Sequence, residues 1–209
     1  MNLRLISLER LRFWGVLFLG LLLLPLSSEA VLSADVKVLR VKAFLDTIAW
    51  AETGTVAKKG YHILVFNGKF SNFSKHPKIK QCASINRRIV CSTAAGRYQV
   101  MDFNWDSLKY KLKLKDFSPV SQDKIALYFI IQKGAIADVK AGRFENAVCK
   151  VGGIWASMPC GNNYGQNPKS MGKLKFMYQY RLVNYVKYYK SIEKKRKPSL
   201  KWENITIVR

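Results

Sequence analysis

Residues 41–52, VKAFLDTIAWAE, decide the fold of this chain. Val41, Leu45 and Ile48 recur at positions i, i+4 and i+7, a spacing that predicts a helix with one apolar face toward a core. Glu52 continues that face because it follows Ile48 by four residues. A threonine and a glycine come next, and glycine commonly ends a helix. The sequence therefore places one carboxyl group on a buried face, in the last turn of a helix.

Glu52 should have a raised pKa in that position. Burial disfavours the charged carboxylate, and the negative end of the helix dipole does the same. A carboxyl group that stays protonated near neutral pH can act as a general acid. The alternative is an ordinary acidic residue at a frayed helix end, and position alone leaves both interpretations open.

Residues 1–30 have the pattern of an export signal peptide. Three arginines precede or flank the start of an apolar run from Phe13 to Leu26, and Ser28 to Ala30 places small residues around a cleavage position before Val31. The run is shorter than the roughly 20 residues of a membrane-spanning helix, which favours a cleaved signal over a retained anchor. We therefore expect a periplasmic or secreted protein.

The cysteines agree with export. Cys82, Cys91, Cys149 and Cys160 all follow the leader, and an even number suits two disulfides in an oxidising compartment. Three connectivities are open, and pairing Cys82 with Cys91 and Cys149 with Cys160 closes the shortest loops. The spacing lacks the Cys-x-x-Cys grouping of a zinc site, so we expect no metal.

The chain is strongly basic, with a formal net charge of +23. Without the leader it keeps 33 basic and 11 acidic residues, a net charge of +22. Such a charge predicts a polyanionic partner: an anionic wall polymer, a membrane surface or a nucleic acid. Export argues against nucleic acid. The run from Lys194 to Lys197 would contact the wall or membrane, with simple solvation of these charges as the alternative.

The stretch between the first helix and Met101 carries no aspartate or glutamate. Tyr61 to Phe66 is a short β-rich run, and Asn67-Gly68 is a strong turn signal, which together predict a small β-hairpin. An irregular segment closed by Cys82 and Cys91 should follow.

Helical patterning dominates the rest of the chain and predicts an α+β fold. The predicted helices are Trp105 to Leu112, Pro119 to Gly134 with Ser118 as N-cap, Ala135 to Lys140, Phe144 to Val151, and Leu174 to Tyr185. We expect one catalytic domain over residues 31–185 and a basic C-terminal extension over 186–209, in which Ile205 to Val208 is a candidate strand.

An ordered set of motifs resembles the endolysin family of bacteriophage lambda, within the lysozyme superfamily. The motifs are Lys42 to Asp46, Ala49 to Glu52, Gly60-Tyr61, Ala95 to Gln99, Leu114 to Pro119, Ser121 to Asp123, Ile154 to Ser157, and Tyr164 to Gln166. The set covers over half of the chain and is highly specific in its order. The resemblance implies a lysozyme-like fold, mainly helical, with a small β-hairpin lobe beside the active-site cleft. We expect a monomer that needs no cofactor.

The resemblance implies a lytic transglycosylase that acts on the glycan strands of peptidoglycan. Such an enzyme breaks the β-1,4 bond between N-acetylmuramic acid and N-acetylglucosamine and leaves a 1,6-anhydro ring, with Glu52 as its single acid and base. The acid-free stretch 53–101 supports this mechanism, because two-carboxylate lysozymes need a second acid across the sugar. Asp102 and Asp106, expected at a helix start, remain possible second acids. The alternatives are a hydrolytic lysozyme and a cationic wall- or membrane-binding protein with a vestigial lysozyme fold.

Substrate-binding candidates come from the same resemblance. Ser92, Gly96 and Gln99 are similar to a Ser-x-x-x-Gly-x-x-Gln feature of the cleft floor, where the glutamine would bind sugar and backbone; a capped turn is the alternative. The further candidates are the aromatic platform residues Tyr61, Tyr98 and Tyr164, for which core packing is the alternative, and Gln166.

The chain departs from the family pattern at three acidic positions. His62 stands directly after the Gly-Tyr pair, and Asn72 and Lys75 stand where two further acids are expected. These replacements put in doubt any electrostatic aid that the acids would give to an oxocarbenium-like transition state. His62 is expected on the hairpin surface, with a role as second base as the alternative. Trp155 is expected in the core.

The basic run at the C-terminus generates the first prediction. Reversing the charges of Lys194, Lys195, Arg196 and Lys197 should weaken sedimentation of the protein with purified cell walls, most clearly at low salt. The reason is that charge attraction is screened beyond roughly 8 Å at physiological ionic strength. Unchanged sedimentation of the reversed variant across a salt series would exclude this run as an anchor.

Overall fold

The computed structural model describes residues 28–85, 87–161 and 167–196. Its elements are α1 (Ser28–Thr53), two short 3-10 turns (Lys58–His62 and Val65–Asn67), β1 (Gln81–Ile85), β2 (Arg88–Ser92), α2 (Asp102–Lys111), α3 (Pro119–Gln132), α4 (Ile136–Ala141), α5 (Phe144–Val151) and α6 (Met171–Arg196). Outside the described ranges lie most of the predicted leader, Tyr164, Gln166, Lys197 and the candidate strand Ile205 to Val208. Among the described residues, those from Asp35 onward form one compact unit, and the segment that ends at Ala34 is separate from it. Within the described part, no helix is long and apolar enough to cross a membrane.

Helix α1 is the centre of the hydrophobic core. Ala43, Phe44, Ile48 and Ala49 are almost completely buried, and the core cluster around them takes side chains from all six described helices. The buried surface of α1 is therefore wider than the apolar face that the sequence predicted. Ile48 is buried as expected, but neighbouring elements cover most of the helix circumference, so residues outside that face are buried too.

The β-hairpin lies in a different place from the predicted one. β1 and β2 pair antiparallel, with Cys82 opposite Cys91, so the segment expected to be irregular forms the two-stranded sheet. The disulfide between Cys82 and Cys91 links the two strands, and a second one links Cys149 with Cys160. The predicted sequential pairing of the cysteines is confirmed.

The segment predicted as the hairpin forms two short 3-10 turns and one antiparallel bridge, between Ile63 and Lys69. The same backbone also pairs with a distant segment of the chain. Val65 N–H donates to the carbonyl of Ala94 at 2.9 Å, and Gly96 N–H donates to the carbonyl of Ile63 at 2.7 Å. The chain does reverse near the Asn-Gly turn signal, but the residues in the left-handed region are Phe66 and Asn67. The turn signal thus predicted the chain reversal and the pairing across it correctly, but this pairing is a single bridge and does not extend into two strands.

The predicted helices are confirmed, with one correction at a cap. α3 begins at Pro119 after Ser118, yet the Ser118 hydroxyl makes no capping hydrogen bond. Asp116 Oδ1 instead accepts from the Ser118 backbone N–H at 3.0 Å and from the Ser121 hydroxyl at 3.1 Å. α6 runs without a break through position 185, where the sequence suggested that the domain ends.

A buried carboxylate joins α1 to two distant parts of the chain. Asp46, 6% exposed, accepts from Arg97 Nη2 at 2.5 Å, from Arg181 Nε at 2.6 Å and from the Tyr185 hydroxyl at 2.8 Å. Arg97 also donates through Nη1 to the carbonyl of Val56 at 2.8 Å. Asp46 therefore fixes the loop before α2 and the C-terminal helix against the same turn of α1.

Replacing Asp46 with asparagine should lower the free energy of unfolding by about 3–5 kcal/mol, because two arginines would keep their charges in a buried site without the carboxylate. Glu145→Gln is the matched control. It breaks an ion pair with Lys175 at 2.5 Å that is exposed and screened, so its effect should be much smaller. Urea denaturation of both variants measures the difference, and equal stability losses would contradict the role assigned to Asp46.

Candidate active site

Glu52 lies in the last turn of α1, as the sequence predicted. The helix ends there because Gly54 adopts φ +71°, in the left-handed region, and donates its N–H to the carbonyl of Trp50 at 2.9 Å. The Thr53 hydroxyl turns back to the carbonyl of Ala49 at 2.7 Å. The side chain of Glu52 is half-buried, so its carboxyl group is held at the edge of the core.

Ser157 is the direct partner of the Glu52 carboxyl group. Its hydroxyl donates to Glu52 Oε1, and it makes a backbone hydrogen bond to the same carboxyl group. Burial raises the pKa of Glu52 to about 7, and the hydrogen bonds from Ser157 and the positive charge of Lys169 partly offset that rise. The pKa of this carboxyl group therefore lies in the range that suits a general acid or base at neutral pH.

Lys169 and Trp155 hold the Ser157 segment in place. The backbone N–H of Lys169 donates to the carbonyl of Ser157 at 2.8 Å, and its ammonium group lies 5.7 Å from the centre of the Trp50 ring. Trp155 is buried, as predicted, and its Nε1 donates to the carbonyl of Tyr98 at 3.0 Å. This bond connects the Ser157 segment to the loop before α2.

Position 96 requires glycine because the side chain of Gln122 lies against its backbone. Gly96 has φ +80°, and a Cβ atom there would lie 2.2 Å from Gln122 Oε1. That oxygen accepts from the Arg97 backbone N–H at 2.8 Å, and Gln122 Nε2 donates to the carbonyl of Phe117 at 2.9 Å. Any side chain at position 96 would therefore displace the bond between α3 and this loop.

Ser92 and Gln99 make backbone contacts in the same loop. Ser92 Oγ accepts from the Ala94 N–H at 3.1 Å, and Gln99 Nε2 donates to the carbonyls of Gly96 at 3.0 Å and Ile63 at 3.3 Å. These contacts are those of the capped turn that the sequence left as the alternative. Sugar binding by Ser92, Gly96 or Gln99 stays a prediction.

Asp123 binds two of the predicted platform tyrosines. Its Oδ1 accepts from the hydroxyls of Tyr61 at 2.9 Å and Tyr98 at 2.7 Å. Burial is the largest cause that raises the pKa of both hydroxyls, with the Asp123 charge next. Tyr98 is only 2% exposed, so its ring belongs to the core and has no open face for a sugar, which corrects its assignment to a platform. Tyr61 is half-buried.

The three departures from the acidic pattern make local contacts. His62 ends a 3-10 turn, with Nδ1 3.1 Å from the carbonyl of Phe70 and its ring 4.6 Å from that of Phe73, so it is half-buried and not on an exposed hairpin. Asn72 Oδ1 accepts from the Ser74 N–H at 2.8 Å. Lys75 is exposed on the rim of a shallow depression of about 430 Å³.

Comparison with known proteins now decides the family. The sequence profile of the endolysin family matches residues 42–184. The chain belongs to the endolysin family. It is 40% identical to the endolysin of Escherichia phage P2 over 146 residues, which are 64% of this chain and 87% of that protein. It is also 40% identical to the endolysin of Escherichia phage lambda over 131 residues, 60% of this chain and 80% of that protein.

Solved structures of phage lambda lysozyme have the same fold. One, in complex with a chitohexasaccharide, superposes with a TM-score of 0.62 at 35% identity and covers 68% of this endolysin and 94% of that chain. A second structure of lambda lysozyme superposes with a TM-score of 0.55 at 31% identity, and the match covers 71% of this endolysin and 93% of that chain. The lysozyme-like α+β fold expected from the sequence is confirmed.

The other described carboxylates of the endolysin are bound by protein groups. Asp46 and Asp123 are engaged as above, and hydrogen bonds to neighbouring groups hold the pKa of five others below its usual range: Asp102, Asp106, Asp116, Asp138 and Glu145. Asp102 and Asp106 lie in the first two turns of α2, as expected, and accept from Thr93 Oγ1 at 2.7 Å and Lys78 Nζ at 2.5 Å. Asp35 accepts from the Tyr189 hydroxyl.

Sequence reasoning missed Ser157 and Lys169 as parts of the Glu52 site. Ser157 closes the Ile154 to Ser157 motif, so the signal was present, but nothing in that motif shows which residue it contacts. Lys169 belongs to no motif. Both approach Glu52 only because the chain after α5 folds back on the end of α1.

The Glu52–Ser157 contact generates a prediction about pH dependence. A general acid must be protonated, so kcat/KM should be level below pH 7 and should fall as pH rises through about 7. Ser157→Ala removes a hydrogen bond that lowers the Glu52 pKa, so this alkaline limb should move upward by about one pH unit. The control is Ser191→Ala, which removes a hydroxyl that bonds to the Tyr188 carbonyl on α6. A Ser157→Ala profile that overlays the wild-type profile would contradict the assignment.

Proposed function

We propose that this endolysin degrades peptidoglycan as a lytic transglycosylase, with Glu52 serving as both general acid and general base. Its substrate is the β-1,4 bond between N-acetylmuramic acid and N-acetylglucosamine, and its product ends in a 1,6-anhydro ring. The observation that carries the proposal is the Glu52 carboxyl group, which has a raised pKa and a hydrogen bond to Ser157. Among the side chains that the structure describes, no other carboxylate is a cause of its pKa shift.

Membership of the endolysin family supports a peptidoglycan substrate. The lambda lysozyme structure that shares this fold contains a chitohexasaccharide, which is a β-1,4-linked chain of N-acetylglucosamine. Since this endolysin covers 94% of that chain, a groove for a β-1,4 glycan is the natural proposal here. The predicted export signal, the two disulfides and the positive charge suit action on an anionic wall outside the cytoplasm.

The distribution of acids favours transglycosylation over hydrolysis. Two-carboxylate glycosidases place their second acid about 5–9.5 Å from the first, to act as nucleophile or to activate water. The 49 residues after Glu52 carry no acid. Beyond them, each carboxylate on residues 102–145 bonds to a protein group. A mechanism that uses one carboxyl group twice needs no second acid.

The geometry at Glu52 suits both halves of that mechanism. The Ser157 hydroxyl donates to Oε1, so the acidic proton resides on Oε2, from which it passes to the glycosidic oxygen as the bond to the anomeric carbon breaks. The carboxylate that remains is stabilised by Ser157 and by the charge of Lys169. It then accepts the proton of the muramic acid 6-hydroxyl, whose oxygen bonds to the anomeric carbon. Water is not consumed, and Glu52 ends protonated as it began.

Glu52→Gln should reduce kcat by about 10⁴-fold or more, because general acid–base catalysis typically contributes 10²–10⁴-fold and the same group serves both steps. Digestion of purified cell walls by the wild-type protein in ¹⁸O-labelled water should give 1,6-anhydro-muramic acid ends without the label. Mass spectrometry of the products measures both outcomes. Labelled reducing ends would show hydrolysis and overturn the proposal.

Two controls separate chemistry from folding. Asp102→Asn and Asp106→Asn should lose far less activity, since neither carboxylate takes part. In the folded state the Glu52 pKa is near 7, above its ordinary value of 4.5. The folded protein therefore binds this proton more tightly than the unfolded chain does. The resulting stabilisation is complete below pH 4.5 and is lost as the pH rises to 7. Glu52→Gln should therefore be more stable than the wild type at pH 8, by up to about 3 kcal/mol. An inactive variant that was also unfolded would not test the mechanism, and this measurement excludes that case.

A further inference from the structure

Helix α6 has an inner face that the fold fixes against the core. Leu174 and Tyr178 are buried, and the Tyr178 ring stacks on Phe144 at 4.7 Å. Two turns later, Arg181 and Tyr185 both bond to the Asp46 carboxylate. These contacts prevent the helix from rotating about its axis, so its opposite side is held outward.

The outward side carries three exposed apolar residues in one row. Phe176, Tyr180 and Val183 follow each other at i, i+4 and i+7, which places them on one face of the helix. They are 69%, 55% and 50% exposed. Exposed apolar side chains are normal when scattered, but a contiguous row on a fixed helix face marks an interaction surface.

Lysines lie at both ends of this row. At 100° per residue, Lys173, Lys187 and Lys190 project on the same side of α6 as the apolar row, and all three are exposed. Among the described side chains, no carboxylate forms an ion pair with them. We call these six residues the outer face of α6. It extends about 25 Å along the helix, at 1.5 Å per residue.

We propose that the outer face of α6 binds the surface of an anionic lipid bilayer. Aromatic rings settle at the boundary between headgroups and acyl chains, while lysine stems extend so that the ammonium groups reach lipid phosphates. α6 carries eight basic residues and one acidic residue, so its charge complements an anionic leaflet. This binding is independent of the glycosidic mechanism and would hold the enzyme beside the membrane that borders its substrate.

Two other occupants fit the outer face less well. A second copy of the chain would bring like-charged lysines together, at a net charge of +23 on each protein. A sugar platform combines aromatic rings with amides or carboxylates that bind hydroxyl groups. The row here combines its rings with a valine and lysines.

The test uses the full chain with a tryptophan introduced on the outer face. Tyr180→Trp adds a probe to the row, and Tyr110→Trp adds one at a position on α2 that is 78% exposed, as the matched control. Each variant is mixed with vesicles of phosphatidylglycerol and phosphatidylcholine whose acyl chains are brominated, and the emission of the unsubstituted chain is subtracted. This readout reports where position 180 lies, whatever other part of the chain contacts the vesicle.

Position 180 should lose about half of its added emission, because a helix at the interface buries its apolar face some 5–10 Å deep, where bromine quenches tryptophan. Position 110 should keep its emission, and vesicles of phosphatidylcholine alone should have no effect. Adding Lys173→Gln, Lys187→Gln and Lys190→Gln to Tyr180→Trp should raise the lipid concentration needed for quenching at least about tenfold.

Three results would overturn the proposal. The first is equal quenching, or none, at positions 180 and 110. The second is a change in the added emission of the Tyr180→Trp variant with purified cell walls but not with vesicles, which would indicate a glycan platform. The third is a blue shift of the added tryptophan emission in the Tyr180→Trp variant before any lipid is added. Such a shift would show that protein already covers the outer face.

Discussion

The buried carboxylate of Asp46 is the constraint on which the arrangement of the endolysin depends. A charge in the core is tolerated only when it is paired and hydrogen-bonded, and Asp46 meets this condition through Arg97, Arg181 and a tyrosine hydroxyl. The partners come from the loop before α2 and from α6, more than 50 and 130 residues away. Satisfying one carboxylate therefore fixes both the loop that abuts the Glu52 site and the orientation of the C-terminal helix.

Several polar residues near the Glu52 site hold neighbouring segments of the protein in place. Gln122 occupies the space that a side chain at Gly96 would need, and Gln99 closes the turn on the other side. Asp123 binds the hydroxyls of Tyr61 and Tyr98. Buried polar groups must find partners, so a motif can persist in sequence for packing as readily as for binding. Only Ser157 among the contacts described here bonds directly to the Glu52 carboxyl group.

A group that acts as acid and then as base needs a pKa near the pH at which it works. Burial alone would carry the Glu52 pKa upward until the carboxylate became too unfavourable to form. The Ser157 hydrogen bonds and the Lys169 charge act in the opposite direction, and the result is a pKa of about 7. The balance of these opposing effects, more than burial itself, gives Glu52 the near-neutral pKa that the proposed single-carboxyl mechanism requires.

The sequence by itself determined the helices, the position of Glu52 at the end of the first one and the family. It left three cysteine connectivities open and favoured the one that the structure shows. These follow from short-range signals: apolar spacing, glycine and proline positions, loop lengths and ordered motifs. It predicted the chain reversal at Asn67-Gly68, which is confirmed with one antiparallel bridge between Ile63 and Lys69. It did not predict the two-stranded sheet at residues 81–92 or the pairing of residues 63–65 with residues 94–96. It also left open whether Tyr98 forms a sugar platform or packs in the core, and it missed the contacts of Ser157 and Lys169 with Glu52.

Tertiary structure decided each of these points for one physical reason. Each of these contacts joins segments that lie about 30 to 105 residues apart in the chain. They include the backbone pairing of residues 63–65, the burial of Tyr98 and the hydrogen bond of the Ser157 hydroxyl to Glu52. Local propensity carries no information about such contacts, since they form only when burial of the α1 core and of Asp46 fixes the fold around them.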